Sequence, residues 1–211
     1  MPPARARPPR PVRPAKRRPD RYHHGDLRRA LVLEALRTIH VEGASALTLR
    51  GVGDRLGVSR TALYRHFADK QALLNEVAAE GFRLLRTALR DAWGRGGRVG
   101  FDEMGQAYVA FAVAHPSHYR VMFGGLAEAH QEGAEGSTEG TDAFQVLVDA
   151  IVAEQAAGRV RRDDPLPLAL HIWATVHGIA MLALDGLLSP PMTAESLARQ
   201  SIAWLHVGID R

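Results

Sequence analysis

At 211 residues, with 46% hydrophobic and 24% charged residues, the chain has a globular composition and room for a small domain joined to a larger one. The lack of cysteine excludes disulfides, thiolate metal sites and a cysteine nucleophile; it suits a reducing compartment, so the cytoplasm is the expected location. The net charge of +4 conceals a division, because residues 1–90 hold 19 Lys and Arg against 8 Asp and Glu, net +11, whereas residues 91–211 hold 8 against 15, net −7; a polyanion would meet only the N-terminal part.

Residues 1–21 contain seven of the twelve prolines, seven Arg and one Lys, with Asp20 the only acid. Such a segment can neither bury apolar surface nor donate enough backbone hydrogen bonds to fold, so residues 1–24 are expected to be a disordered basic arm. Two readings stand for it: added phosphate contacts without sequence preference, or a solvated tail. It has no apolar signal-peptide core, so no export is implied.

Helical texture begins at Asp26, a candidate N-cap, with Leu27, Leu31, Ala35 and Ile39 recurring every four residues until Gly43. A shorter helix is expected after Thr48, another good cap, with Leu49, Val52 and Leu56 on one side and Gly57 at its end. Val58 and Ser59 then lead into a third helix whose buried side is Leu63 and Phe67. Asp69 is placed to cap a long fourth helix reaching about Trp93, after which 94–100, "GRGGRVG", reads as a loop. Further helices are expected at 101–114, 117–132, 142–157, 164–188 and 194–208, with 133–141 a flexible connector and His115-Pro116 a stop. No convincing strand-period run or repeat is found, so the fold class is all-α.

Residues 165–184 contain no Asp, Glu, Lys or Arg, which raises a membrane span. Two prolines at the start and His171, Thr175 and His177 inside argue against it. A helix apolar all round then needs two buried faces, one against the core and one against a second subunit.

Residues 48–67, preceded by a longer helix, follow the plan of a helix-turn-helix. Ser59, Arg60 and Thr61 open its third helix, where hydroxyls and a guanidinium can reach phosphates or base acceptors; Tyr64, Lys70 and Thr48 are placed toward phosphates. The run "TLRGVGDRLGVSRTALYRHFADKQALL" resembles, nearly position by position, the DNA-binding signature of TetR-type transcriptional regulators, over about 50 residues. The resemblance implies a DNA-binding domain, here 25–72, on a helical domain, 73–211, that dimerises and usually binds a small-molecule effector whose binding releases the operator. It also implies that Thr48, Ser59, Tyr64, His66 and Lys70 contact DNA phosphates or support those contacts, with Arg60, Thr61 and Ala62 toward the bases. Gly53 departs from the family's usual alanine; with Gly51 it places two glycines in the second helix, each costing roughly 1 kcal/mol against alanine.

"HPSHYRVMFGG", 115–125, and "WATVHGIAMLALDG", 173–186, resemble a narrower group, the C-terminal domain named for its Trp, His and Gly, here Trp173, His177 and Gly178. Tyr108, Phe111, Tyr119, Met122, Phe123, Trp173, His177 and Met181 are the candidates for an apolar effector pocket, and each is equally a candidate for plain core. His177 is read either as a core or interface histidine or as a polar contact to effector. His171 and His177, six residues apart on one helix, cannot grip one ion from a single face. Adjacent His23 and His24 lack a Cys or carboxylate partner at ligand spacing, so no metal and no cofactor are expected. No catalytic constellation stands out from scattered polar residues, and the chain is not read as an enzyme. The expected partners are double-stranded DNA with a palindromic operator, a second copy through the last two helices, and an unknown small-molecule effector. The competing readings are an all-α small-molecule binding protein or enzyme with a vestigial helix-turn-helix, and an activator or ligand-free regulator on the same fold.

Overall fold

The computed structural model describes residues 24–94, 96–126 and 137–209, and among them the chain forms nine α-helices. The expected arm lies outside the described residues, as do His23 and the side chain of Asp26. The first helix, α1, spans His24–Glu42, so Asp26 sits inside it rather than at its cap. Gly25 does not stop it, because the first-turn amides have no intrahelical partner to lose. Leu27, Leu31, Ala35 and Ile39 are all buried, as their four-residue repeat predicts. Gly43 ends the helix at φ 83°, and a short 3-10 turn, Ala44–Ala46, which local spacing does not signal, delivers Leu47 to the core.

Helix α2, Leu49–Arg55, and α3, Arg60–His66, are seven residues each. Two caps follow expectation, the Gly51 amide donating to Thr48 Oγ1 at 3.0 Å and the Ala72 amide to Asp69 Oδ1 at 2.8 Å; Ser59 adds a third, its Oγ accepting from the Ala62 amide at 3.2 Å. Between α2 and α3, Gly57 takes φ 66°, a left-handed conformation that costs other residues about 1–2 kcal/mol. Gly53 has a packing reason: a Cβ there would stand 2.9 Å from a Leu63 methyl, so α2 lies almost directly on α3. Arg55 ties α2 to α1, donating to Thr38 Oγ1 at 2.6 Å and to Glu42 at 2.8 Å.

Helix α4, Lys70–Trp93, is continuous across the boundary expected at 72/73. Its N-terminal end packs on α1 and its length meets the later helices α5, Gly97–Ala114, α6, Pro116–Phe123, and α7, Ser137–Ala156. Three boundaries along α5 to α7 need correction. Gly97 to Gly100 are helical, not loop. The helix expected over 117–132 ends at Phe123, where Gly124 and Gly125 follow, and 127–132 lie outside the described residues. Residues 137–141, expected in the connector, form the first turn of α7; the apolar run behind them supplies the tertiary packing that a composition rich in Gly, Ser and Thr conceals.

Helix α8, Pro165–Leu184, opens on an Asp164 cap to the Leu166 amide, and α9 spans Ala194–Ile209. The end expected at 188 comes at Leu184, with Gly186 at φ 68° beyond it. Arg120 of α6 donates to the Leu184 carbonyl at 2.8 Å. By length and composition α8 is the candidate for a membrane crossing among the described residues. One of its faces, with Leu168, Ile172, Val176 and Ile179, is buried against the bundle that includes α5, α7 and α9. Leu166, Leu170 and Leu182 remain exposed.

Candidate functional site

Helix α3 presents two kinds of residue. Leu63 and, just past its end, Phe67 are each 2% exposed, whereas Arg60, Thr61, Tyr64 and Arg65 are exposed. Tyr64 is 55% exposed, so its ring is not core. Ala62 packs partly against the core, and His66 is half-buried, which leaves both less free for contacts than their positions in sequence suggest.

Thr48 and Ser59 already serve as caps, accepting amide hydrogens. A hydroxyl that accepts retains its own proton to donate, so capping fixes each oxygen in place while leaving a donor for an anion. Lys70 Nζ donates to the Ala44 carbonyl at 3.3 Å; an ammonium has three protons, so this contact aims the group without exhausting it. The carboxylate of Asp69 occupies one of the amides at the α4 N-terminus, leaving a weaker anion site there than the helix end alone implies.

Behind this surface stands Arg28, which no motif in the sequence singles out. Its guanidinium lies over the Phe67 ring at 4.6 Å, donates to the His66 carbonyl at 3.1 Å, and pairs with Glu76 of α4. One α1 side chain therefore links the C-terminal end of α3 to α4. Its partners are 38 and 48 residues away, a separation that no local pattern signals.

A second feature lies in the later helices. A cavity of about 330 Å³ opens among α4, α5, α7, α8 and α9. Of the candidate residues, Tyr108, Phe123 and Trp173 line it, together with Phe82, Phe101 and Phe144. Phe111, Tyr119, Met122, His177 and Met181 are not in its wall. Tyr119 and Met122 are wholly buried, and Phe111 nearly so. They pack the α4–α5–α6 interior, where apolar character alone cannot distinguish core from cavity lining.

His177 acts behind the wall. Its Nδ1 lies 2.8 Å from the Tyr119 hydroxyl and 3.1 Å from that of Tyr108; the two hydroxyls are 3.1 Å apart, and Trp173 Nε1 donates to Tyr108 at 3.0 Å. Burial pushes the Tyr108 hydroxyl up to about 12, outweighing its hydrogen bonds from Tyr119 and Trp173, and burial likewise raises Tyr119, so both stay protonated donors. His206, also in the wall, pairs with Asp102. Phe82 and Leu85 are legible in sequence only as apolar positions of α4; their exposure to a cavity depends on helices as far along the chain as α9. Among the described residues no group of three or more His, Cys, Asp or Glu is arranged to hold a metal ion. His171 is exposed on α8.

Comparison with known proteins bears on both features. Residues 31–77 match the family model of bacterial regulatory proteins, tetR family, and residues 101–205 match that of the tetracyclin repressor-like C-terminal domain. The tetracycline repressor protein class C of Escherichia coli is 43% identical over 51 residues, 24% of this chain and 23% of that protein. An uncharacterized HTH-type transcriptional regulator of Mycobacterium tuberculosis is 23% identical over 189 residues, 87% of this chain and 82% of its own length. A solved structure of a protein of unknown function from Rhodococcus sp. RHA1 superposes with a TM-score of 0.81 at 33% identity, covering 92% of this chain and 100% of that one.

Proposed function

Given that this chain belongs to the tetR family of bacterial regulatory proteins, we propose that it is a homodimeric repressor that reads a palindromic operator and is released from it by a small molecule held in the cavity beside α4. The observation that carries this reading is the exposed face of α3. Arg60, Thr61, Tyr64 and Arg65 stand outward on a helix clamped from behind by Leu63, Phe67 and Arg28. In a helix-turn-helix the N-terminal side chains of such a helix enter the major groove. Arg60 and Thr61 are then base-directed, while Thr48, Ser59, Tyr64, His66 and Lys70 contact or support contacts to phosphates.

Dimerisation is supported by an apolar face on the last two helices. Trp204 is 70% exposed and Val207 87% on α9, and Leu166 and Leu170 are exposed on the adjacent α8. Exposed apolar groups of this size, gathered on adjacent helices, are the usual mark of a protein interface. Two copies joined there carry two α3 helices, which matches a two-fold symmetric operator. Such a dimer works on DNA in the cytoplasm.

Release is supported by α4, which joins the two features: Glu76 near its start holds Arg28, and Phe82, Leu85 and Leu89 further along line the cavity. A ligand that shifts α4 moves the reading helix with it. The test is a nuclease footprint of the full-length protein on the DNA flanking its own gene, repeated with added small molecules. A protected palindrome that disappears on adding one of them is the expected result. Protection of no sequence above random DNA would remove the reading.

A further inference from the structure

The chemistry of the cavity narrows what can fill it. Its volume of about 330 Å³ is roughly twice the ~150 Å³ that admits a single benzene ring, so two to three six-membered rings fit. Six aromatic side chains, Phe82, Phe101, Tyr108, Phe123, Phe144 and Trp173, stand in the wall. They already pair edge to face: Phe82 with Phe123 at 5.5 Å between centroids, and Phe144 with Trp173 at 5.8 Å. Aromatic edges and faces of this kind favour a further ring over a flexible chain.

Among the described residues that line the cavity there is no Lys, Arg, Asp or Glu. Its polar side chains, Tyr108, Thr141, Trp173 and His206, all interact with protein. The Tyr108 hydroxyl has three partners, Trp173, Tyr119 and His177, which equals the one donated and two accepted bonds that a hydroxyl supports. The Trp173 indole donates its single proton to Tyr108, and His206 is paired with Asp102. A ligand that buries a polar group here gives up water without gaining a partner, a loss of roughly ten- to hundredfold in affinity. A buried ionised group loses more.

We propose that this cavity selects an uncharged, predominantly hydrocarbon molecule of two to three rings, recognised by ring contact and shape rather than by a hydrogen bond to the wall. The inference rests on the reading of the cavity as the ligand site. Calorimetric titration of the full-length protein with naphthalene, 2-naphthol, 2-naphthoate and 1-octanol tests it. Naphthalene should bind roughly ten- to hundredfold more tightly than 2-naphthol, with 2-naphthoate weaker still and 1-octanol weaker than 2-naphthol. Leu147→Trp, which fills the cavity, should abolish naphthalene binding; Ala143→Leu is the second filling variant should the first fail to fold.

Four results would overturn the proposal: 2-naphthoate binding as tightly as naphthalene, 2-naphthol binding as tightly as naphthalene or more tightly, 1-octanol binding tighter than 2-naphthol, or unchanged binding in a folded filled variant. Absence of saturable binding by both naphthalene and 2-naphthol would overturn it equally. A naphthalene-loaded protein that still holds its operator supports the ligand class and removes the release mechanism, so the two readings fail separately.

Discussion

Tyr64 carries a large ring at 55% exposure on a seven-residue helix, where a buried aromatic would otherwise contribute to stability. Its placement makes sense as a contact to a partner. Tyr64→Ala is expected to leave the melting temperature nearly unchanged and to weaken binding to operator and random DNA alike, as phosphate contacts carry no sequence information. Arg60→Ala is expected to cost about 1–3 kcal/mol on the operator and to relax its sequence preference; equal losses on operator and random DNA in a gel-shift series would remove Arg60 from base reading. His118 of α6 is a residue-scale case of another kind. It is 9% exposed, and its Nε2 has no hydrogen-bond partner. Burial, reinforced by nearby His115, pushes it down to about 4 from 6.5. Between those values the unfolded chain takes up a proton that the folded chain refuses. Stability is therefore full above about pH 6.5 and falls as pH drops toward 4, by up to about 1.4 kcal/mol per unit. Thermal melts from pH 7 to 4.5 should show a shallower acid loss in His118→Phe than in the parent protein.

At the scale of elements, α2 and α3 are too short to be stable alone, and their ends matter more than their interiors. Ser59 fixes the start of α3, and Gly57 sets the angle at which α3 leaves α2. Ser59→Ala is expected to lose about 1 kcal/mol and Gly57→Ala roughly 1–2 kcal/mol, both read by chemical denaturation; no loss in Gly57→Ala would show that the turn tolerates another backbone conformation. Gly53 is expected to differ. The 2.9 Å approach involves the end of the Leu63 side chain, so helix propensity and crowding oppose each other there. Helix α4 is the element with the widest reach, since it belongs to both the α1–α3 unit and the wall of the cavity. Its caps and apolar repeat are legible in sequence, but its dual membership is not, because the helices that use its other faces come later in the chain.

On the scale of the molecule, charge and apolar surface are segregated. The basic excess lies in residues 1–90 and the acidic excess beyond, so a DNA duplex is attracted at one end and repelled from the other. Removing one phosphate-binding cation should reduce the salt dependence of binding by about 0.9 in log–log slope; Lys70→Ala, doubled in a dimer, should therefore flatten it by roughly 2. A slope unchanged by that substitution would mean that Lys70 serves only the Ala44 carbonyl. The apolar face of α8 and α9 makes the complementary case. Trp204→Asp places a charge at its most prominent ring, and sedimentation should show a shift toward monomer with weaker operator binding. A parent protein already monomeric at micromolar concentration would remove the dimer.

Read alone, the sequence determined the helical class, the caps at Thr48 and Asp69, the glycine turn and the buried pair Leu63 and Phe67. Those features depend on interactions within a few residues, which spacing and residue type encode directly. Tertiary structure decided what sequence spacing does not carry. Arg28 finds Phe67 and Glu76 across about 40 to 50 residues. Tyr119, Met122 and His177 stand behind a wall whose face is built by Phe82, Phe101 and Phe144. An apolar side chain has the same pattern whether it meets another side chain or an open cavity; only the arrangement of the distant helices makes the difference.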